Sequence, residues 1–133
     1  MYLFDADTLS NLLSKKPSVQ LLSRLAEVPP TQQFTSSITV GEIFYGVYKS
    51  TRIDYYRDKL QRLVWPRVQI VPFDRKAAEG YGRLRAELER AGQSLSDPDL
   101  MIAAIALVRN LVLVTGNVKH FARVKGLRVE NWL

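Results

Sequence analysis

Cysteine is absent from all 133 residues. Disulfides, thiolate zinc sites and cysteine nucleophiles are therefore excluded. The absence fits a reducing compartment, and the expected location is cytoplasmic. The single histidine, His120, rules out a multi-histidine metal site. No G-x-G-x-x-G or G-x-x-x-x-G-K-[ST] segment occurs, which argues against a nucleotide cofactor. No G-x-S-x-G elbow is present either. Apolar runs are short: Met101–Val108 falls far below the length needed to span a bilayer, and no membrane association is expected. Residues 1–8, MYLFDADT, carry two acids and no basic start, unlike a secretory signal. Repeats, low-complexity tracts and arginine-rich tails are missing as well.

What is present is a basic chain with a substantial apolar content. Nineteen lysines and arginines against 13 acids give a formal charge of +6. Such a balance favours a polyanionic partner, nucleic acid first. The length suits one domain, 1–133, with a core that needs no staples. Short apolar segments at Tyr2–Phe4, Phe34–Ser37, Val68–Phe73, Leu111–Thr115 and Leu127–Val129 read as strands. Helical patterns lie between them. Val19, Leu22, Leu25 and Ala26 share one face of a helix over 18–27. Val40, Ile43, Phe44 and Val47 point inward on a helix starting at Thr39. Asp74 caps a long helix that Gly92 terminates. Residues 98–109 are apolar nearly all round, which predicts a helix buried within the domain. Strands alternating with helices predict an α/β fold, a central parallel sheet of four to five strands flanked by helices. Strands without polar alternation predict a sheet covered on both faces.

Three acids fall where a strand ends or a helix begins: Asp5, Glu42 and Asp99. In an open α/β sheet such positions converge beyond the carboxyl ends of the strands, where ligands bind. Carboxylates brought together raise each other's pKa and call for a cation; all-oxygen donors suit Mg²⁺ or Mn²⁺. Each acid also has a structural alternative. Thr39-x-x-Glu42 matches a capping box. Asp99 stands in a first helical turn beside Pro98 and complements the helix dipole. Asp97 and Asp7 are candidate N-caps. Asp5 resists this explanation, because Asp7 is better placed to cap and a buried, unpaired carboxylate is costly. Thr115 and Asn117 bracket Gly116 after the fourth strand; they either shape a turn and cap or hold a water or phosphate oxygen at the site. His120 near a turn reads as solvated or hydrogen-bonded or, if it contributes to function, as a contact to substrate phosphate. Trp65, Trp132 and the tyrosines at 45, 48, 55 and 56 read as core or interface rather than base-stacking platforms.

The order of these segments resembles the PIN-domain family, and within it the VapC-type toxins of toxin–antitoxin pairs. The family's opening L-D-T-N-x-L-S corresponds to Phe4-Asp5-Ala6-Asp7-Thr8-Leu9-Ser10. Its S-x-x-T-x-x-E-x-x-x-G corresponds to SSITVGEIFYG from Ser36 to Gly46. Its D-x-x-I-A-A-x-A-L corresponds to DLMIAAIAL from Asp99. Its L-V-T-x-[ND]-x-x-x-F corresponds to LVTGNVKHF from Leu113, and its G-L-x-x-E-N-W to GLRVENW from Gly126. The resemblance spans essentially the whole chain. It implies a Mg²⁺- or Mn²⁺-dependent endoribonuclease leaving a 5′-phosphate and a 3′-hydroxyl. Asp5 and Asp99 would ligate the ion, and Glu42 directly or through water. Asn117 matches a fourth position, often aspartate in relatives; Asp97, Thr115 and Asp7 are auxiliary. Asp7 replaces the usual asparagine. The implied partners are an RNA substrate, a VapB-type antitoxin and a second copy, giving a homodimer and, with antitoxin, a heterotetramer or larger assembly. Leu13, Tyr45 and Tyr48 would line the antitoxin groove. The rival expectations are a catalytically inactive PIN-fold binding module and, further off, a phosphoacceptor receiver.

Overall fold

Apolar three- and four-residue segments and amphipathic helices alternate along the chain. The structure, a computed structural model, describes residues 1–133. Strand β1 (Tyr2–Phe4) leads into helix α1 (Ala6–Asn11) and then α2 (Val19–Glu27). A single 3₁₀ turn, Pro30–Gln32, precedes β2 (Gln33–Ser36), which runs into α3 (Ser37–Lys49) and α4 (Ile53–Leu63). Strand β3 (Gln69–Val71) is followed by the antiparallel-running pair α5 (Arg75–Arg90) and α6 (Asp97–Val108). Strand β4 (Val112–Val114), a short α7 (Val118–Phe121) and β5 (Val129–Glu130) complete the chain. The strands form one sheet in the order β3-β2-β1-β4-β5, every pair parallel. No helix is long and apolar enough to cross a membrane.

Alternation along the central strands divides the core. Leu3 and Leu113 face one layer, with Leu84, Leu88, Ile102 and Ile105 of α5 and α6. Phe4 and Val114 face the other, with Leu9, Leu21, Leu25, Ile43 and Leu60. Burying both faces of β1 and β4 explains their unbroken apolar runs. The edge strand departs from the expectation of cover on both faces: Gln69 is exposed and Ile70 is 53% exposed. Trp132 closes the second layer, 1% exposed and edge-on to Tyr2 and Phe4. Helix α6 is buried nearly all round, as its composition requires. Helix α2 buries Leu21 and Leu25, whereas Val19, Leu22 and Ala26 face solvent. The expected stripe was thus turned by about one residue. Leu21 and Leu25 are an i,i+4 pair as good as the one read from the sequence, and docking against the sheet chooses between them.

Three helix starts lie one to three residues from where the capping signals placed them. Asp5, not Asp7, caps α1, its Oδ1 accepting from Ala6 N at 2.8 Å. Ser36, not Thr39, caps α3, its hydroxyl accepting from Thr39 N at 3.0 Å. Ser96, not Asp97, caps α6. Asp74 caps α5 as expected, and Gly92 takes φ +69° just past its end. In each displaced case two or three good capping residues stand side by side. The strand's own length decides which one marks the transition from β to helix.

Candidate active site

The carboxyl ends of β1, β2 and β4 meet at one edge of the sheet, and the site is built there. β1 is the central strand, so Asp5 emerges mid-sheet and only 9% exposed. Its backbone N–H donates to Val114 O at 3.0 Å, continuing the ladder one residue beyond the strand. Its Oδ2 accepts from Thr115 Oγ1 at 3.1 Å, and Thr115 Oγ1 accepts from Asn117 N at 3.1 Å. Asp7 ties the same turn from the other side: its Oδ2 accepts from Gly116 N at 2.8 Å, and its Oδ1 from Thr8 N. Gly116 is needed for space, since a Cβ there would stand 2.7 Å from Asp7 Oδ2 and 3.1 Å from Leu133. Asp7 and Thr115 therefore clamp the β4–α7 turn onto the start of α1.

Glu42 sits in the second turn of α3 and makes no side-chain hydrogen bond, so the capping-box alternative does not hold. The cap at Ser36 places Glu42 six residues into the helix, beyond reach of the helix start. Its carboxyl is nevertheless raised above the ordinary value, by shielding from solvent first and then by Asp5, Asp99 and Asp7. Asp5 is pushed up to about 6. Burial is the main cause; Asp7 and Asp99 add repulsion, partly offset by the bonds from Ala6 and Thr115. These effects put Asp5 and Glu42 within the electrostatic reach of Asp99 and Asp7.

Asp99 lies in the first turn of α6 and accepts from His120 Nε2 through Oδ2 at 2.8 Å. This contact went unread in the sequence. Nothing local signals that a residue of the β4–α7 segment reaches back 21 positions to the start of α6. Asp97, by contrast, turns away: its Oδ1 accepts from Tyr81 OH at 2.9 Å and faces Arg85 at 3.4 Å. It joins a surface network, and its expected auxiliary place at the site is not realised. Asn117 occupies the N-cap position of α7 but its side chain makes no cap bond, leaving the amide free at the site edge.

The arrangement gathers four acids, a threonine hydroxyl and an asparagine amide at one sheet edge. No three acidic or histidine side chains stand close enough together to share an ion as they are. The donor chemistry still fits a hard divalent cation. The donors are oxygens, and a cation would offset both the burial that chiefly raises Asp5 and the smaller repulsion from Asp7 and Asp99. Beside the site, α1, α3 and α4 enclose an open groove of about 340 Å³ over Leu13, Ile43, Val47 and Tyr56. Leu13 lines it as expected. Tyr45 and Tyr48 do not; they stand outside it, 68% and 58% exposed.

A parallel α/β sheet with acids gathered at the carboxyl ends of its central strands is the layout of a PIN domain. The family model for that domain matches residues 2–127, and the chain belongs to the PIN-domain family. Among curated proteins it is similar to the ribonuclease VapC2 of Rickettsia felis, 41% identical over 97 residues, covering 73% of this chain and 72% of that protein. It is also similar to the tRNA(fMet)-specific endonuclease VapC of Shigella flexneri, 39% identical over 97 residues and 73% of each chain. Among solved structures, VapBC2 from Rickettsia felis, bound to a DNA fragment from their promoter, aligns at TM-score 0.91. The identity there is 32%, over 99% of this chain and 98% of that one.

Proposed function

We infer that this protein is a ribonuclease of the VapC type, the toxin of a toxin–antitoxin pair. The observation that carries the reading is the buried Asp5. It is held by Ala6 and Thr115 at the centre of the sheet, with Asp7 and Asp99 close enough to perturb it. Asp5 also caps α1, but a cap needs no burial of a charge beside other acids, and a buried charge without a counter-ion opposes folding. A bound Mg²⁺ or Mn²⁺ would supply charge neutralisation and activation of water at the scissile phosphate. Asp5 and Asp99 would hold it, with Glu42, on the exposed side of α3, completing the set directly or through water. Thr115 keeps the Asp5 carboxylate from turning away, and the Asp7–Gly116 contact keeps Thr115 in place. Basic side chains around the mouth would bind RNA phosphates in register without reading sequence.

The groove between α1, α3 and α4 is apolar and open, and suits an amphipathic segment of a VapB-type antitoxin laid across it. Two copies of the chain, each carrying an antitoxin, would form the working assembly, in the cytoplasm where RNA is available. The relative named for tRNA(fMet) makes transfer RNA the first substrate class to try.

The test is incubation of purified, antitoxin-free protein with total RNA in Mg²⁺, in Mn²⁺ and in EDTA, beside an Asp99→Asn control. Discrete metal-dependent products with 5′-phosphate ends, missing from the control, are expected. A folded wild type that cleaves nothing would overturn the reading in favour of a binding module.

A further inference from the structure

We propose that His120 is a positioning residue that holds Asp99 in the orientation needed to receive the divalent ion; the proposal rests on the metal-dependent reading above. Asp5 and Asp7 are each anchored to backbone N–H groups, at Ala6, Thr8 and Gly116. Asp99 has no such anchor. Its side chain has one hydrogen-bond partner, His120 Nε2, at 2.8 Å. An ionised carboxylate only accepts, so Nε2 carries the proton and donates. The contact engages Oδ2 and leaves Oδ1 open.

Two opposing influences act on Asp99. Asp99 shares its sheet edge with the carboxylates of Asp5 and Asp7, and like charges repel. The start of a helix leaves a short carboxylate several rotamers. Only the His120 donor opposes both. His120 is itself well placed to do so. The adjoining Phe121 is 1% exposed in the core, and the N–H groups of His120 and Phe121 both donate to Asn117 O. The ring is half-buried, with 28% of its side chain exposed against 24% for Asp99, so the bond is sheltered from water. His120 falls on an unspecified position of the L-V-T-x-[ND]-x-x-x-F pattern, so the role belongs to this chain's geometry and not to the motif. A donor behind a ligating carboxylate fixes its direction, and removing such a partner weakens metal binding by about 10- to 100-fold.

The experiment measures Mn²⁺ binding to the full chain without RNA, from the electron paramagnetic resonance of free Mn²⁺. His120→Phe keeps the ring volume and removes the donor. It should weaken Mn²⁺ binding by about 10- to 100-fold. His120→Gln, which can present an N–H near the same point, should stay within a few-fold of wild type. In an Asp99→Asn background, His120→Phe should change nothing further, a result a merely structural role would not give. Unfolding in EDTA checks that each variant folds. If His120→Phe does not, His120→Asn, too short to reach Asp99, takes its place with the same expectation. Wild-type affinity in the donorless variant, or tighter binding, overturns the proposal. A wild type that binds no Mn²⁺ overturns the metal reading itself, and this inference with it.

Discussion

Replacing Asp5 by asparagine should abolish function and stabilise the protein, and the size of the second effect follows from the site. Metal-free Asp5 titrates near 6 rather than at its ordinary 3.8. Below pH 4 folded and unfolded chains are both protonated there, and the residue costs nothing. As pH rises, the unfolded chain releases its proton first while the folded chain retains it, so stability falls by about 1.4 kcal/mol per pH unit. The loss ends near pH 6, at about 3 kcal/mol. Asparagine keeps an oxygen for Ala6 N and removes the charge, but its amide takes away the acceptor of the buried Thr115 hydroxyl, which offsets part of the gain. At pH 7.5 in EDTA, Asp5→Asn should therefore melt above wild type by up to about 10 °C, taking roughly 3–5 °C per kcal/mol for a chain of this size. The advantage should shrink to nothing as pH falls from 6 to 4. Added Mg²⁺ should raise the wild type and leave the variant where it is. Thermal scans from pH 4 to 8, with EDTA and with Mg²⁺, measure all of this. A variant less stable than wild type at pH 7.5, or a difference independent of pH, would refute the reasoning.

The other expectations are simpler. Asp99→Asn and Glu42→Gln should each reduce RNA cleavage by at least about 100-fold, beyond the loss typical of supporting contacts, with melting temperatures in EDTA not lowered. Gly116→Ala forces a methyl within 2.7 Å of Asp7 Oδ2. It should cost about 1–3 kcal/mol in denaturant unfolding and lower cleavage, because Thr115 moves away from Asp5. Trp132→Ala removes a ring buried against Tyr2 and Phe4, with Arg24 at 4.6 Å from its centroid. Unfolding in urea should show a loss of about 3–5 kcal/mol.

Much of the site was legible because it rests on strand ends. Tyr2–Phe4 is apolar and stops at an acid, so Asp5 could be placed at the sheet edge from the first five residues. Asp74 and Gly92 bracket α5 unambiguously, since neither has a rival beside it. Legibility failed where local signals were redundant. The runs Asp5-Ala6-Asp7-Thr8, Ser36 to Thr39 and Ser96-Asp97 each offer several caps, and tertiary placement selects among them. It failed again for Asp97 and Asp99, two residues apart in one helical turn: one turns to Tyr81 and Arg85, the other to His120. Only the packing of α5 and α7 against α6 separates them. The groove residues were missed in part for the same reason. Tyr45 and Tyr56 are equally aromatic, but helix phase turns Tyr56 into the groove and Tyr45 out of it.

The position of β1 has a consequence for the order in which the protein is made. The central strand precedes both of its neighbours, β2 and β4, in the chain. Asp5 waits for Thr115, 110 residues later, before the second oxygen of its carboxylate is held. At about 5–20 residues per second, that is roughly 5–20 s of synthesis during which the site cannot exist. A growing chain would carry its acids as scattered, inert side chains past the RNA of the ribosome producing it. The nuclease would come into being only when β4 closes the sheet around β1.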